Sequence, residues 1–112
     1  MSVDFQQFRR LVVKVGSSLV IGDDNRVRES WLKSVAEDLA DLKRRGKQII
    51  VVTSGAVGLG RTVLGYGARR LALEEKQAAA ACGQITLISH WARAFQFESG
   101  ATYYPAQLLL TL

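Results

Sequence analysis

The fold is decided by the stretch QIIVVTSGA, residues 48–56. Four consecutive aliphatic residues, Ile49–Val52, form an apolar run that is typical of a buried strand in a parallel sheet. The small polar residues that follow, Thr53–Ala56, indicate a loop that opens a helix. Ligands of open α/β sheets bind just beyond the carboxyl ends of the strands. We therefore expect this junction to carry part of a ligand site.

A second apolar strand, Leu11–Val13, precedes this one and leads into a lysine and a small-residue turn, Lys14–Ser18. Between the two strands, apolar residues recur at helical spacing from about Val27 to Arg45, which predicts a helix. Its predicted apolar face consists of Trp31, Val35, Leu39 and Leu42. The order strand, helix, strand predicts a βαβ unit with parallel strands, so the fold class is α/β.

Two further helices are predicted after this unit. The first is short, Ala56–Leu64, and ends at Gly65–Gly67. The second runs from near Leu73 to Phe95, and its first half, Ala78–Gly83, is so rich in small residues that we expect another element to approach it closely. Its second half carries an apolar face of Ile85, Ile88, Trp91, Ala92 and Phe95. An extended segment, 101–104, and an apolar run, 107–112, close the sequence.

The composition is that of one soluble globular domain, with 112 residues, 48% hydrophobic and 22% charged. The net charge of +5 raises the question of a nucleic-acid partner. The basic residues nevertheless fall in separate short clusters without interleaved aromatic side chains: Arg9-Arg10, Lys43–Arg45 and Arg69-Arg70. We therefore predict a solvated basic surface and no nucleic-acid partner.

Cysteine usage and hydropathy bear on the compartment. Cys82 is the only cysteine, so no internal disulfide is possible and a reducing compartment is expected. The first residues lack an apolar signal region, and no apolar stretch approaches the length of a membrane span. We therefore expect a cytoplasmic protein without a membrane partner.

Two strand ends are suited to binding anions. At the first, Gly16 and Ser17 form a small-residue turn whose backbone N–H groups suit a phosphate, and Lys14 supplies a positive charge. A lysine within a run of valines is poorly placed for solvation alone, because burying an unpaired ammonium is costly. The alternative is a structural turn beside a solvated lysine, and the residues alone leave both interpretations open.

The second strand end offers the same chemistry. Gly55 permits close approach of the backbone to a ligand, and a helix that begins near Ala56 favours an anion at its N-terminus. The alternative is an ordinary turn in which Ser54 caps the helix. Two such junctions at neighbouring strand ends are more informative than either one alone.

Several familiar sites are excluded. Gly46-Lys47 is followed by Gln48, so there is no P-loop, and Val63 stands where a dinucleotide fingerprint needs its third glycine. One histidine, His90, and one cysteine do not make a zinc site, and we expect His90 to have a packing or surface role. No Asp or Glu falls at the end of a predicted strand, so we predict no metal ligand and no general base.

Three motifs, read together, resemble the glutamate 5-kinases of the amino acid kinase family. They are VVKVGSS at 12–18, VVTSGAV at 51–57 and EKQAAAACGQ at 75–84. The third separates glutamate 5-kinases from relatives that act on acetylglutamate, aspartate, carbamate or uridylate. The segment QLLLT at 107–111 is also similar to a strand of that family.

The resemblance implies a three-layer α/β/α fold with a mainly parallel sheet. It also implies transfer of the γ-phosphoryl group of ATP to the side-chain carboxylate of L-glutamate, the first step of proline biosynthesis. Lys14 would be the catalytic residue that neutralises the transferring group, and Gly16 and Ser17 would contact the phosphates of ATP. The residues implied for glutamate binding are Ser54, Gly55 and Ala56. Mg²⁺ would be bound mainly through the nucleotide phosphates.

The motifs cover less than half of the kinase domain of that family, whose remaining substrate and adenine contacts come later in the chain. We therefore expect residues 1–112 to be the N-terminal part of a truncated kinase domain. The full-length enzyme is expected to be a homo-oligomer, and the isolated chain is expected to be inactive. The alternative is a non-catalytic binding or assembly module, or an inactive fragment, that retains half of the fold.

Overall fold

A computed structural model describes residues 7–97, 103 and 105–107 of the chain. Within these ranges the elements follow one another as β1 (Arg10–Val15), α1 (Ser17–Val20), α2 (Glu29–Arg44), β2 (Gln48–Thr53), α3 (Ala56–Val63) and α4 (Leu73–Ala94). The predicted strands and the three predicted helices within 27–95 are all present, and α1 is an addition that the sequence pattern did not indicate. The α/β class is confirmed.

The two strands form the predicted parallel pair. Val13 lies opposite Val51, and Val15 lies opposite Thr53. The connection between them contains α2, so residues 10–53 form the expected βαβ unit. The carboxyl ends of both strands therefore lie side by side at one edge of the sheet.

Only one face of this sheet is covered within the described part of the chain. The covered face carries Leu11, Val13, Val15, Ile49, Val51 and Thr53, and the other carries Arg10, Val12, Lys14, Gln48, Ile50 and Val52. On the second face Val12 is 65% exposed and Ile50 is 58% exposed. The prediction of buried strands is therefore wrong for this face, because the buried core residues of the helices join the strands on the first face. Lys14 is exposed, so its ammonium group pays no cost of burial and does not need an anionic partner on that ground.

Helix α2 packs on the covered face with a stripe that includes Leu39, as predicted, but otherwise differs from the predicted one. Its buried residues are Leu32, Ala36, Leu39 and Ala40. Trp31 and Val35 are half-buried at the margin of the core. Asp41 and Arg45 form an ion pair at 3.1 Å in the last turn, and Gly46 ends the helix with a φ of +88°.

The segment between α1 and α2 is a compact turn. Ile21 and Val27 form an antiparallel bridge, and the N–H of Gly22 donates to the carbonyl of Arg26 at 2.9 Å. Asn25 adopts a φ of +62°, a conformation that asparagine tolerates better than most residues. This confirms the turn that the Gly-Asp-Asp-Asn sequence predicts.

Helices α3 and α4 touch through their backbones. A Cβ atom added to Gly60 would overlap the backbone carbonyl of Ala79, and one added to Gly83 would overlap the carbonyl oxygen of Ala56. The expectation that the small-residue half of α4 lets another element approach closely is confirmed. The partner of α4 in this contact is α3.

The second half of α4 completes the core. Leu87, Trp91 and Ala94 are buried with residues of the strands and of α2, whereas Ile85, assigned to the apolar face by the sequence pattern, is 68% exposed. The indole N–H of Trp91 donates to the hydroxyl of Thr53 at 3.2 Å, which ties α4 to the end of β2. His90, for which a packing or surface role was predicted, is half-buried and contacts the exposed carboxylate of Glu29 at 3.1 Å.

The N-terminus of α4 is fixed by Glu75. Its carboxylate accepts a hydrogen bond from the N–H of Ala72 at 3.0 Å and forms a bidentate ion pair with Arg69, one contact of which is 3.0 Å. The guanidinium of Arg69 also lies 5.0 Å from the ring centre of Tyr66. The Arg69 hydrogen bond and the Ala72 N–H together lower the pKa of Glu75 to about 2. The loop between α3 and α4 is thus joined to the helix that follows it.

Most of the two C-terminal segments predicted at 101–104 and 107–112 lies outside the described residues. In the part of the chain that the structure describes, no helix is long and apolar enough to cross a membrane.

We predict that Gly83→Ala lowers the free energy of unfolding by about 2 kcal/mol, because the added methyl group overlaps backbone atoms of α3 that cannot move independently. Chemical denaturation of the protein measures this change. Gly16→Ala is the control, since a Cβ at Gly16 has no atom within 4 Å and the residue has an ordinary φ of −72°. Equal stability of Gly83→Ala and the unsubstituted protein would contradict the close contact.

We predict that the ion pair of Glu75 stabilises the protein only above the acidic range. Because folding lowers the pKa of this carboxyl from 4.5 to about 2, its contribution is complete above pH 4.5 and is lost as the pH falls towards 2. The melting temperature of Glu75→Gln should therefore lie below that of the unsubstituted protein at pH 6, and the difference should shrink by pH 2.5. Glu74→Gln, in the same helical turn, should show no such convergence.

Candidate functional site

The candidate site begins where the two strands end. The N–H of Ser54 donates to the carbonyl of Val15 at 3.1 Å, so the strand pairing continues one residue beyond β2. From these ends the chain enters α1 at Ser17 and α3 at Ala56. The two predicted junctions are therefore neighbours in space, as the parallel pairing requires.

Gly55 shapes the second junction. Its φ is +120° and its ψ is −4°, a backbone conformation that residues with a side chain rarely adopt. It is also the residue that caps α3, and its carbonyl accepts the hydrogen bond from the N–H of Leu59 at 3.0 Å. The alternative in which Ser54 caps the helix is therefore wrong, because the chain turns one residue later and the cap has no side-chain hydrogen bond.

An open cleft of about 820 Å³ lies at these junctions. One wall comes from α1 and the turn after it, and the other wall comes from the end of β2 and the first half of α3. The lining residues are Ser17, Ser18, Ile21, Gly22, Asp23, Asn25, Thr53, Ser54, Gly55, Ala56, Val57, Gly58 and Arg61.

Four of the six predicted site residues line this cleft. Ser17 lies on one wall, and Ser54, Gly55 and Ala56 lie on the other. Lys14 and Gly16 are not among the lining residues. Lys14 projects from the uncovered face of the sheet, because alternation along β1 places it beside Val12 and away from the core.

The first junction differs from the predicted phosphate-binding turn in its backbone. Ser17–Val20 forms the one-turn helix α1, with Gly16 preceding it in extended conformation. The hydrogen bond from the N–H of Ile21 to the carbonyl of Ser17, 2.9 Å, closes this turn. Ser17 is exposed at the start of the helix, whereas Val20 is fully buried in the core. The apolar anchor at Val20 therefore holds Ser17 at the cleft.

The structure adds charged and polar residues that the sequence pattern did not single out. Asp23 and Asn25 reach the cleft from the turn between α1 and α2, and Arg61 reaches it from α3. The signal for Arg61 was present in the sequence, because it follows Val57 and Gly58 by four and three positions and so shares their helical face. No comparable periodicity marks Asp23, which lies in an irregular turn.

The electrostatics of the lining are simple. Arg61 is its only cationic side chain and Asp23 its only carboxylate among the described residues. Helix α3 begins at the cleft, so the unpaired N–H groups of its first turn contribute positive potential there. Within the described ranges, no three His, Cys, Asp or Glu side chains come together as a metal site. The second wall of the cleft therefore favours an anionic ligand.

The chain is similar in sequence to several known proteins. The chain is 46% identical over 110 residues to glutamate 5-kinase 1 of Mesorhizobium japonicum, in a match that covers 96% of this chain and 28% of that protein. It is 49% identical over 106 residues to the glutamate 5-kinase of Gluconobacter oxydans, covering 94% of this chain and 27% of the relative. The glutamate 5-kinase of Brucella ovis is 43% identical over 107 residues, in a match that covers 96% of this chain and 28% of that protein. The chain thus spans little more than a quarter of these relatives.

The sequence model of the amino acid kinase family matches residues 9–108, which include both strands, all four helices and every residue that lines the cleft. The chain therefore belongs to the amino acid kinase family.

Proposed function

We propose that the protein to which this chain belongs transfers the γ-phosphoryl group of ATP to the side-chain carboxylate of L-glutamate. The product would be γ-glutamyl phosphate, and the reaction would open proline biosynthesis. The observation that carries the proposal is the meeting of two parallel strand ends in one cleft, with Ser17 on one wall and Ser54–Ala56 on the other. Relatives named glutamate 5-kinase that match 94–96% of the chain support the choice of substrate.

The chemistry of this reaction suits a cleft of this kind. Both substrates are anions, and the nucleophile is a carboxylate that is already ionised at neutral pH. Catalysis therefore depends on positioning and on neutralising charge, and it needs no general base. Gly55 and Ala56 help to position a substrate, because these small residues let a ligand approach the start of α3 closely.

Four of the predicted residues take their roles from the walls of the cleft, whereas Lys14 and Gly16 lie beside it at the end of β1. Ser54, Gly55 and Ala56 would hold the glutamate, and Gly16 and Ser17 would contact the phosphates of ATP. Lys14 would neutralise the transferring group, with its long side chain reaching over the end of β1, two residues before Gly16. The proposal gives no residue of this chain a role in holding Mg²⁺, which would enter with the nucleotide phosphates.

The proposal treats residues 1–112 as one part of a kinase domain. The match to little more than a quarter of each relative supports this, since the adenine pocket and the other glutamate contacts would come from the rest of the domain. The homo-oligomer and the cytoplasmic location remain predictions from the sequence.

We predict that Lys14→Ala lowers kcat of the full-length protein by roughly 100-fold or more, because a charge that stabilises the transition state is removed. The melting temperature should change little, since the side chain is exposed. A coupled assay of glutamate-dependent ADP release measures the rate. Lys33→Ala, an exposed lysine on α2, is the control and should retain full activity. Unchanged turnover in Lys14→Ala would remove this residue from the mechanism.

The second candidate function is a binding or assembly module without catalysis. Because the chain spans little more than a quarter of the kinases that it matches, this alternative is tested on the 112-residue chain itself. Calorimetric titration of the chain with L-glutamate and with ATP, beside the same turnover assay, separates the two. Binding of either ligand without turnover would support the module, and turnover by the chain alone would reject it.

A further inference from the structure

We propose that Arg61 binds the carboxylate of the amino acid substrate that does not react. The inference rests on the proposed function, since it assigns a residue to the dicarboxylate that the cleft would hold. Arg61 lies on the face of α3 that lines the cleft, together with Val57 and Gly58. At a rise of about 1.5 Å per residue, it lies about 7 Å along the helix from Ala56. Arg61 is therefore set back from the strand end where phosphoryl transfer would occur.

Arg61 is the cationic side chain of the cleft lining that could pair with a second substrate carboxylate. L-Glutamate carries two carboxylates, and one of them must face the wall with Ser17 for the reaction. The other carboxylate enters the same cleft, and a cation on the lining would bind it in preference to leaving it to solvent alone. Among the described residues that line the cleft, Arg61 is the only cation, because Lys14 lies on the uncovered face of the sheet. Arg61 is thus the available counter-charge on the second wall.

The guanidinium of Arg61 is held in place before any ligand arrives. Its Nη1 donates to the carbonyl of Gly67 at 3.1 Å and to the carbonyl of Arg69 at 2.5 Å. Those carbonyls belong to a loop that is tied to the start of α4, because Arg69 pairs with Glu75 and the N–H of Ala72 donates to the same carboxylate. An arginine that is fixed in this way loses little conformational freedom when it binds a ligand.

The donors that remain match a carboxylate. Within the described part of the chain, the side-chain hydrogen bonds of Arg61 come from Nη1 alone. Nε and Nη2 donate none of these bonds, and their N–H groups lie parallel along one edge of the planar guanidinium. Two parallel N–H groups are the arrangement that binds a carboxylate in bidentate fashion. The Arg61 side chain therefore combines an anchored edge with a free recognition edge.

The test compares steady-state kinetics of the full-length protein with Arg61→Gln. We expect the KM for L-glutamate to rise roughly ten- to hundredfold, because hydrogen bonds to a charged group are lost, while the KM for ATP changes less than about twofold. Arg61→Lys keeps the charge without the bidentate geometry and should give an intermediate KM for glutamate.

A second measurement identifies the carboxylate. The unsubstituted protein should prefer L-glutamate to its α-amide, isoglutamine, and Arg61→Gln should lose most of that preference. An undiminished preference in Arg61→Gln would overturn the proposal, as would a rise confined to the KM for ATP.

Two controls separate binding from loop structure. Arg69→Gln breaks the ion pair that holds the loop without changing a residue that lines the cleft, and it should raise the KM for glutamate less than about fivefold. Arg70→Gln removes an exposed charge nearby and should leave the kinetics unchanged. If Arg69→Gln matches Arg61→Gln, Arg61 acts through the loop and the proposal fails. Absence of glutamate-dependent turnover in the unsubstituted protein would instead overturn the proposed function itself.

Discussion

The arrangement of the cleft depends on the backbone contact between α3 and α4. Gly60 and Gly83 leave no room for a Cβ atom, so the two helices meet at the smallest separation that their main chains allow. α4 in turn is fixed to the core by Trp91 and to β2 by the hydrogen bond from Trp91 to Thr53. Helix α3 has no other large partner in the described part of the chain. Its direction away from the strand end, and with it one wall of the cleft, is therefore set by this contact.

The sheet supplies the second constraint. Parallel pairing places both carboxyl ends at one edge, and the chain must leave each end without blocking the other. At β2 it does so through Gly55, whose positive φ turns the backbone directly into α3. At β1 it does so through Gly16 and the single turn of α1, anchored by the buried Val20. The backbone conformations at the two strand ends differ, and they place the polar side chains of Ser17 and Ser54 on opposite walls of the cleft.

The sequence predicts best those parts of the fold that are marked by a continuous run of apolar or of small residues. The apolar runs at 11–13 and 49–52 predict the strands, because continuous aliphatic residues favour a strand in a parallel sheet. The small-residue run at 78–83 predicts the close helix contact, because small side chains let two helix backbones approach. Short-range patterns do not reveal which face of a strand is covered. The run of valines around Lys14 argues against a merely solvated lysine, yet alternation along β1 places this residue on the exposed face. The sequence pattern points to Ser17 and Ser54–Ala56, and helical spacing places Arg61 on the face of Val57 and Gly58. Asp23 reaches the cleft from an irregular turn that no local pattern marks.

The hydrogen bond between Trp91 and Thr53 also gives the protein an optical property. Trp91 is 3% exposed, and its indole N–H is bonded to a threonine that lines the cleft. The other tryptophan, Trp31, is half-buried on α2 and is not part of the lining. Indole emission responds to changes in local hydrogen bonding, so a ligand that displaces the Thr53 hydroxyl alters the fluorescence of a buried chromophore. The cleft thus carries its own spectroscopic reporter, and occupancy can be followed without labelling the chain.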